Sequence, residues 1–338
     1  MIDLSTDYVG LHLKNPLVPS ASPLSKDLDT AMRLEDAGAS ALVVYSLFEE
    51  ALQAEMAMLD RFVLHADLGH GEADGFLPDQ GAFCDCLERY TAHIRALKSR
   101  LGIPIVASLN GVTRSGWIEL GRAIQDAGAD ALELNVYHVA ADMHASAAHV
   151  EARYIDLLRA LRQSVSLPIV MKLSPYFSSL PHFVRDLEHA GARGVALFNR
   201  FYQPDIDLET RTLTHGLHLS GSDEALLRIR WLAILRGRVD LTLAATGGVH
   251  TPADAMKMLL AGADVVHLCS ALLMHGPDYL GSLLQGMQDW MAAHEYESVA
   301  QLKGSMCQDK LRDPTAIERA GYVRVIQGYA GPGGVSGA

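Results

Sequence analysis

The chain has 338 residues, of which 49% are hydrophobic and 20% charged, a balance that supplies ample core for a soluble globular protein. Its formal net charge of −12 opposes phosphate backbones, so nucleic acid is not an expected partner. No apolar stretch approaches the roughly 18 residues of a membrane span, and MIDLSTDYVG lacks a secretory pattern. Four cysteines without a disulfide framework fit a reducing cytoplasm, the expected location.

Along the chain, eight short segments rich in β-branched residues alternate with helical patterns. In order they are LVPSAS (17–22), ALVVYS (41–46), IVASLN (105–110), ALELNV (131–136), IVMKLS (169–174), GVALFN (194–199), LTLAAT (241–246) and VVHLCS (265–270). Amphipathic helices are predicted between them, among them 26–37, 116–127, 151–164, 181–190 and 252–261. Thr251 is placed to cap the last of these and Pro252 to open it. One phrase recurs four times at a helix end: Ala37-Gly38-Ala39, Ala127-Gly128-Ala129, Ala190-Gly191-Ala192 and Ala261-Gly262-Ala263. Glycine suits the left-handed residue just past a helix, with a strand following within two residues. Eight strand-then-helix units predict an α/β fold, a (β/α)8 TIM barrel. A single barrel domain is expected over 1–327, with a flexible Gly-rich tail over 328–338. Long insertions at 47–90, 137–150 and 200–225 all leave the C-terminal ends of strands, the rim where barrel enzymes build their sites.

The strongest chemical signal lies after the last two strands. Thr246-Gly247-Gly248-Val249 and Leu268-Cys269-Ser270-Ala271 occupy the loops from which barrels offer backbone N–H groups to a phosphate. Lys172 stands inside the otherwise apolar fifth strand, where an ammonium needs an anion or covalent work. It suits a Schiff-base aldolase or a flavin whose N1/O2 edge it would stabilise. Cys84-x-Cys86 has no second pair to complete a metal site, and His138, His144 and His149 are spaced wrongly for ligands on one helical face, so no metal is expected. Arg153, Arg159 and Arg162 read as a solvated helix face.

In this order and spacing the chain resembles the FMN-dependent dihydroorotate dehydrogenases, closest to the soluble class 1 enzymes, from about Asp3 to Gln301. The resemblance is carried by Asn15-Pro16-Leu17 with Ala21-Ser22, Glu133-Leu134-Asn135, Met171-Lys172-Leu173-Ser174-Pro175-Tyr176-Phe177, Leu219-Ser220-Gly221, Ala245-Thr246-Gly247-Gly248-Val249 and Leu268-Cys269-Ser270-Ala271-Leu272 followed by Gly276-Pro277. It implies FMN as cofactor and hydride exchange between a substrate CH–CH group and flavin N5, in pyrimidine biosynthesis if the substrate is dihydroorotate. Ala21, Ser22 and Ser46 would approach the flavin ring, Asn135 would bond flavin and substrate, and Lys172 would sit at the N1/O2 edge. Asn199 would face the substrate, and Gly221, Gly247, Gly248, Cys269 and Ser270 would surround the phosphate.

The chain departs from that family where the substrate is handled. The class 1 pattern Asn-x-Ser-Cys-Pro-Asn reads here Asn135-Val136-Tyr137-His138-Val139-Ala140, so His138 stands in the position of the proton-abstracting Cys. Imidazole, with an ordinary pKa near 6.5, suits a general base at neutral pH, and Tyr137 is a second candidate acid. Tyr45 replaces the substrate-touching Lys of the second strand, and the Asn-bearing loop has no clear counterpart among residues 60–81. The electron acceptor is expected to be a small molecule or a separate protein, and the assembly a homodimer. Three rival readings are a tRNA-dihydrouridine-type flavin reductase, a flavin-binding accessory barrel without turnover, and the aldolase.

Overall fold

The computed structural model describes residues 2–52, 86–111, 117–201, 203–214 and 216–328. The inserted Gly69-His70-Gly71 and Gly75–Pro78 segments, Cys84, and residues 329–338 of the expected tail lie outside the described residues. Gly328 itself ends a helix, Arg319–Gly328.

Two short strands come first, β1 (Thr6–Tyr8) and β2 (Leu11–Leu13), paired antiparallel. Then follow β3 (Leu17–Pro19), β4 (Leu42–Phe48), β5 (Ile105–Asn110), β6 (Ala131–Asn135), β7 (Ile169–Leu173) and β8 (Gly194–Leu197). A small ribbon, β9 (Asp205–Asp207) and β10 (Thr212–Thr214), precedes β11 (Thr242–Thr246) and β12 (Val265–Leu268). Eight of these form one parallel sheet in the order β3-β12-β11-β8-β7-β6-β5-β4. Its two end strands approach each other where Ser40 donates from N and Oγ to the Leu17 carbonyl, at 3.2 and 2.7 Å. This is the (β/α)8 barrel expected from the sequence, and each of its strands matches a predicted segment to within three residues.

The helices follow the predicted pattern with one shift. The helix predicted at 151–164 runs from Ala147 to Arg162, because Ser146 Oγ accepts from His149 N and starts it early. Thr251 and Asp254 form a reciprocal capping box before Pro252–Ala261, as the Thr-Pro pair implied. The four repeated glycines Gly38, Gly128, Gly191 and Gly262 all have φ between 93° and 130°, so each turns the chain from helix toward strand.

Alternation along the barrel strands explains both the core and the site. Leu17, Leu42, Ile105, Leu132, Met171, Val195, Leu243 and Val266 face outward and bury against the helices. The inward residues at the lower ends are apolar: Val18, Val106, Ala131, Val170, Ala196, Ala244 and Val265. Tyr8, Val9 and Leu13 of the first ribbon pack into that layer and close the bottom of the barrel. Two residues further up, the inward positions become Ser20, Ser108, Glu133, Lys172, Phe198, Thr246 and His267, all buried and nearly all polar. The barrel is an apolar plug below and a polar cup above. No helix among the described residues is long and apolar enough to cross a membrane.

Candidate active site

A cavity of about 870 Å³ opens at the C-terminal rim, within the size range of small-molecule and cofactor sites. Its wall brings together Ala21, Ser22, Ser46, Asn135, Tyr137, Lys172, Asn199, Gly247, Gly248, Cys269 and Ser270 from eleven separate sequence predictions. Three predicted residues are placed otherwise. Gly221 caps the short helix Ser222–Glu224 and stands behind Ser220, which does line the cavity. Tyr45 turns outward, its ring edge-on to Tyr90 at 5.2 Å with Lys26 Nζ 5.2 Å above it, and lines a smaller neighbouring cavity instead. His138 is half-exposed off the main wall, 3.4 Å from Arg153 Nη1; partial burial, then the Arg153 charge, hold its pKa below the ordinary value.

The floor is built around Lys172, which β7 delivers into the cup only 8% exposed. Its Nζ donates to Glu133 Oε1 at 3.1 Å and to Ser20 Oγ at 3.5 Å. Glu133, from β6, is wholly buried, and its second oxygen lies 3.7 Å from His267 Nδ1 on β12. Burial pushes the His267 pKa down to about 4, with Lys172 adding to the fall and Glu133 opposing it. The imidazole is therefore neutral at pH 7. Unfolded, it titrates near 6.5. Above that pH both states hold it neutral; as pH falls from 6.5 toward 4 the unfolded state takes the proton first, and stability declines. His267→Asn should flatten the stability curve over that interval in chemical unfolding; an unchanged slope would show that other groups carry it.

Above the floor, Asn199 Nδ2 donates to Asn135 Oδ1 at 3.0 Å, placing two amides side by side on the wall. Tyr137 stacks on Phe201 with centroids 4.2 Å apart, and Tyr176 meets Phe201 edge-on at 5.8 Å. Tyr137 and Phe201, with Phe48 and Phe198, give the cavity an apolar side suited to a planar ring.

The opposite chemistry sits after β11 and β12. Gly247 and Gly248 have φ of 90° and 78°, and their backbone is held from behind. Buried Arg228 donates from Nε to the Thr246 carbonyl at 3.0 Å and from Nη1 to the Glu224 carbonyl at 2.9 Å. Ser270 Oγ accepts from Ser220 N at 3.1 Å, tying the segment after β12 to the segment that follows β10. A Cβ on Gly248 would lie 2.9 Å from both Ala225 Cα and the Glu224 carbonyl carbon, so only glycine fits. Burial raises the Cys269 thiol pKa, against Lys172 and Arg200, so this sulfur stays protonated as part of the wall.

Sequence reasoning missed Ser20, Asn110, Phe201 and His267 on the wall, and the role of Glu133 beneath it. The signal was available: each inward residue stands two places from another on its strand, or in register with one, as Asn135 is with Lys172 and Thr246 with His267.

The dihydroorotate dehydrogenase family model matches residues 3–291. Among similar curated proteins, the dihydroorotate dehydrogenase B (NAD(+)) catalytic subunit of Thermoplasma acidophilum is 26% identical over 317 residues, 90% of this chain and 99% of that protein. Dihydroorotate dehydrogenase A (fumarate) of Lactobacillus delbrueckii subsp. bulgaricus is 27% identical, over 80% of this chain and 88% of its own. The NAD-dependent dihydropyrimidine dehydrogenase subunit PreA of Escherichia coli is 24% identical, over 89% and 76%. With the barrel, the cup and the glycine cradle all inside the matched span, the chain belongs to the dihydroorotate dehydrogenase family, flavoprotein oxidoreductases that act on CH–CH groups.

Proposed function

We propose that the chain is an FMN-dependent oxidoreductase that exchanges hydride between a CH–CH group of a small cyclic substrate, dihydroorotate or an analogue, and flavin N5. One observation carries this reading: a single cavity holds both a buried ammonium on its floor and a glycine cradle that admits no side chain. The residues present fit FMN. The Gly247-Gly248 backbone with Ser220, Cys269 and Ser270 would hold the phosphate, and Ala21, Ser22 and Ser46 would line the ring. Lys172 would stand at the N1/O2 edge, where its charge favours the anionic reduced ring. When bound, FMN supplies the hydride acceptor. The chain's own residues do the rest: Asn135 and Asn199 orient the substrate by paired amide hydrogen bonds, and the aromatic side excludes water. Tyr137, on the wall, relays the proton that departs beside the hydride, its oxygen taking that proton as its own O–H proton passes to solvent, a role that sequence position alone gives to His138.

The acceptor of the electrons is a small molecule or a partner subunit. Two relatives are named as subunits, and the names carry NAD(+) in one case and fumarate in another. The aldolase reading has no support from the family match.

The purified protein should be yellow, release FMN on denaturation, and bleach anaerobically with dihydroorotate or a related cyclic amide. Colourless protein that takes up no FMN would overturn the reading. Flavin that no such substrate bleaches would leave the accessory, non-catalytic barrel in its place.

A further inference from the structure

Beneath Lys172 lies a polar group that the hydride chemistry leaves unused. Glu133 and His267 project from β6 and β12, which stand four places apart in the ring of eight, so the two side chains meet across the barrel axis. Both side chains are completely buried, and Glu133 Oε2 is 3.7 Å from His267 Nδ1. Among the described residues neither imidazole nitrogen has a hydrogen-bond partner, nor does Glu133 Oε2, nor the hydroxyl of Tyr8. The Tyr8 ring meets the imidazole edge-on at 5.7 Å. Leaving a buried polar group unsatisfied is costly, so four of them gathered at one point call for a compensating role. A neutral imidazole facing a carboxylate at this distance is one proton short of an ion pair. His267 is also among the residues that line the cavity.

We propose that His267 is a redox-linked proton site, taking up one proton when the flavin beside Lys172 is reduced and releasing it on reoxidation. The inference rests on the flavin reading above. With the ring oxidised, Lys172 and Glu133 cancel each other's charge through their 3.1 Å contact. Reduction adds a negative charge at the edge that Lys172 faces, and the ammonium must then serve two anions. The deficit falls on Glu133, whose remaining neighbour is His267. Any weakening of the Lys172–Glu133 pairing leaves more of the Glu133 charge to His267 and so moves its titration upward.

The balance is simple. The substrate gives up a hydride, carrying two electrons, to flavin N5, and its accompanying proton passes through the Tyr137 hydroxyl to solvent. Separately, one solvent proton bonds to the unprotonated nitrogen of His267, with no change in electron count there. Three titratable groups face this imidazole: Tyr8 from β1, Glu133 from β6 and Lys172 from β7. Burial keeps the Tyr8 phenol protonated, so Glu133 is the receiving anion.

The test is the flavin midpoint potential of the holoprotein, measured between pH 4.5 and 8. One proton per two electrons gives a slope of about 30 mV per pH unit, and a second proton doubles it to about 60. Wild type should show the doubled slope in the lower part of the range and the single slope above it. His267→Asn should show the single slope throughout. Glu133→Gln, an isosteric change that removes the receiving charge, should also lose the doubled segment, and it carries the test if His267→Asn fails to retain flavin. A single slope throughout in wild type overturns the proposal. So does a doubled segment that survives in His267→Asn, because the extra proton then resides on the flavin ring. The function reading fails separately, if the protein binds no flavin or if Lys172→Met leaves its potential unmoved.

Discussion

Tyr137→Phe should slow substrate-dependent bleaching of the bound flavin by about 10²- to 10⁴-fold, the usual loss when a positioned acid or base is removed. His138→Ala should change the same rate by no more than a few-fold. The contrast follows from where β6 releases the chain. Asn135 is the last residue of the strand and points into the cup, and Tyr137, two residues on, is still on the cavity wall. His138 is the odd residue and falls on the other side, toward Arg153 of the helix Ala147–Arg162. Phe201 then clamps the Tyr137 ring by stacking, which fixes the hydroxyl relative to the two amides of Asn135 and Asn199. Removing one oxygen leaves that stack intact, so flavin binding and the flavin spectrum should be unchanged in Tyr137→Phe. Anaerobic stopped-flow bleaching checks both variants. If His138→Ala carries the large loss and Tyr137→Phe does not, the proton has been assigned to the wrong side of the loop.

That alternation marks how far the sequence could be read. Strand positions were legible because apolar runs between Ala-Gly-Ala turns leave few other options, and the glycine pair after β11 announced itself by its place. What stayed hidden was which residues share an inward layer. Buried barrel strands are apolar on both faces in their lower halves, so Val170 and Met171 look alike although one faces the axis and the other the helices. Once Lys172 fixes the inward phase of β7, register carries it to Asn135 on β6 and thence to Glu133. The meeting of His267 with Glu133 crosses the barrel, joining residues 134 positions apart, and no local pattern contains it. Within β4 the case is different. Tyr45 lies inside a register shift between Val43 and Ser46, which turns its ring away from the cup toward Tyr90 and His93. Position along the strand suggested a substrate contact; the irregularity redirects it.

Gly248→Ala should weaken FMN retention by at least tenfold, and Gly276→Ala should leave it unchanged. The two glycines share a positive φ, 78° and 83°, so an alanine is strained at each. They differ in what surrounds them. Among the described residues nothing lies within 4 Å of a Cβ at Gly276, whereas at Gly248 it would meet the backbone of Glu224 and Ala225 at the start of the helix Ala225–Leu235. Those are main-chain atoms and cannot rotate aside. The loop itself must retreat, carrying with it the Gly248 N–H that faces Ser220 Oγ at 3.4 Å. Ser220 in turn is tied to Ser270, so displacement at one residue opens the seam between the β11 and β12 loops where the phosphate is proposed to sit. Thermal unfolding of both apoproteins separates strain from cofactor loss, because the φ penalty alone should lower Tm in each. Equal FMN affinity in the two variants would mean that this cradle holds no phosphate, whatever else the cavity binds.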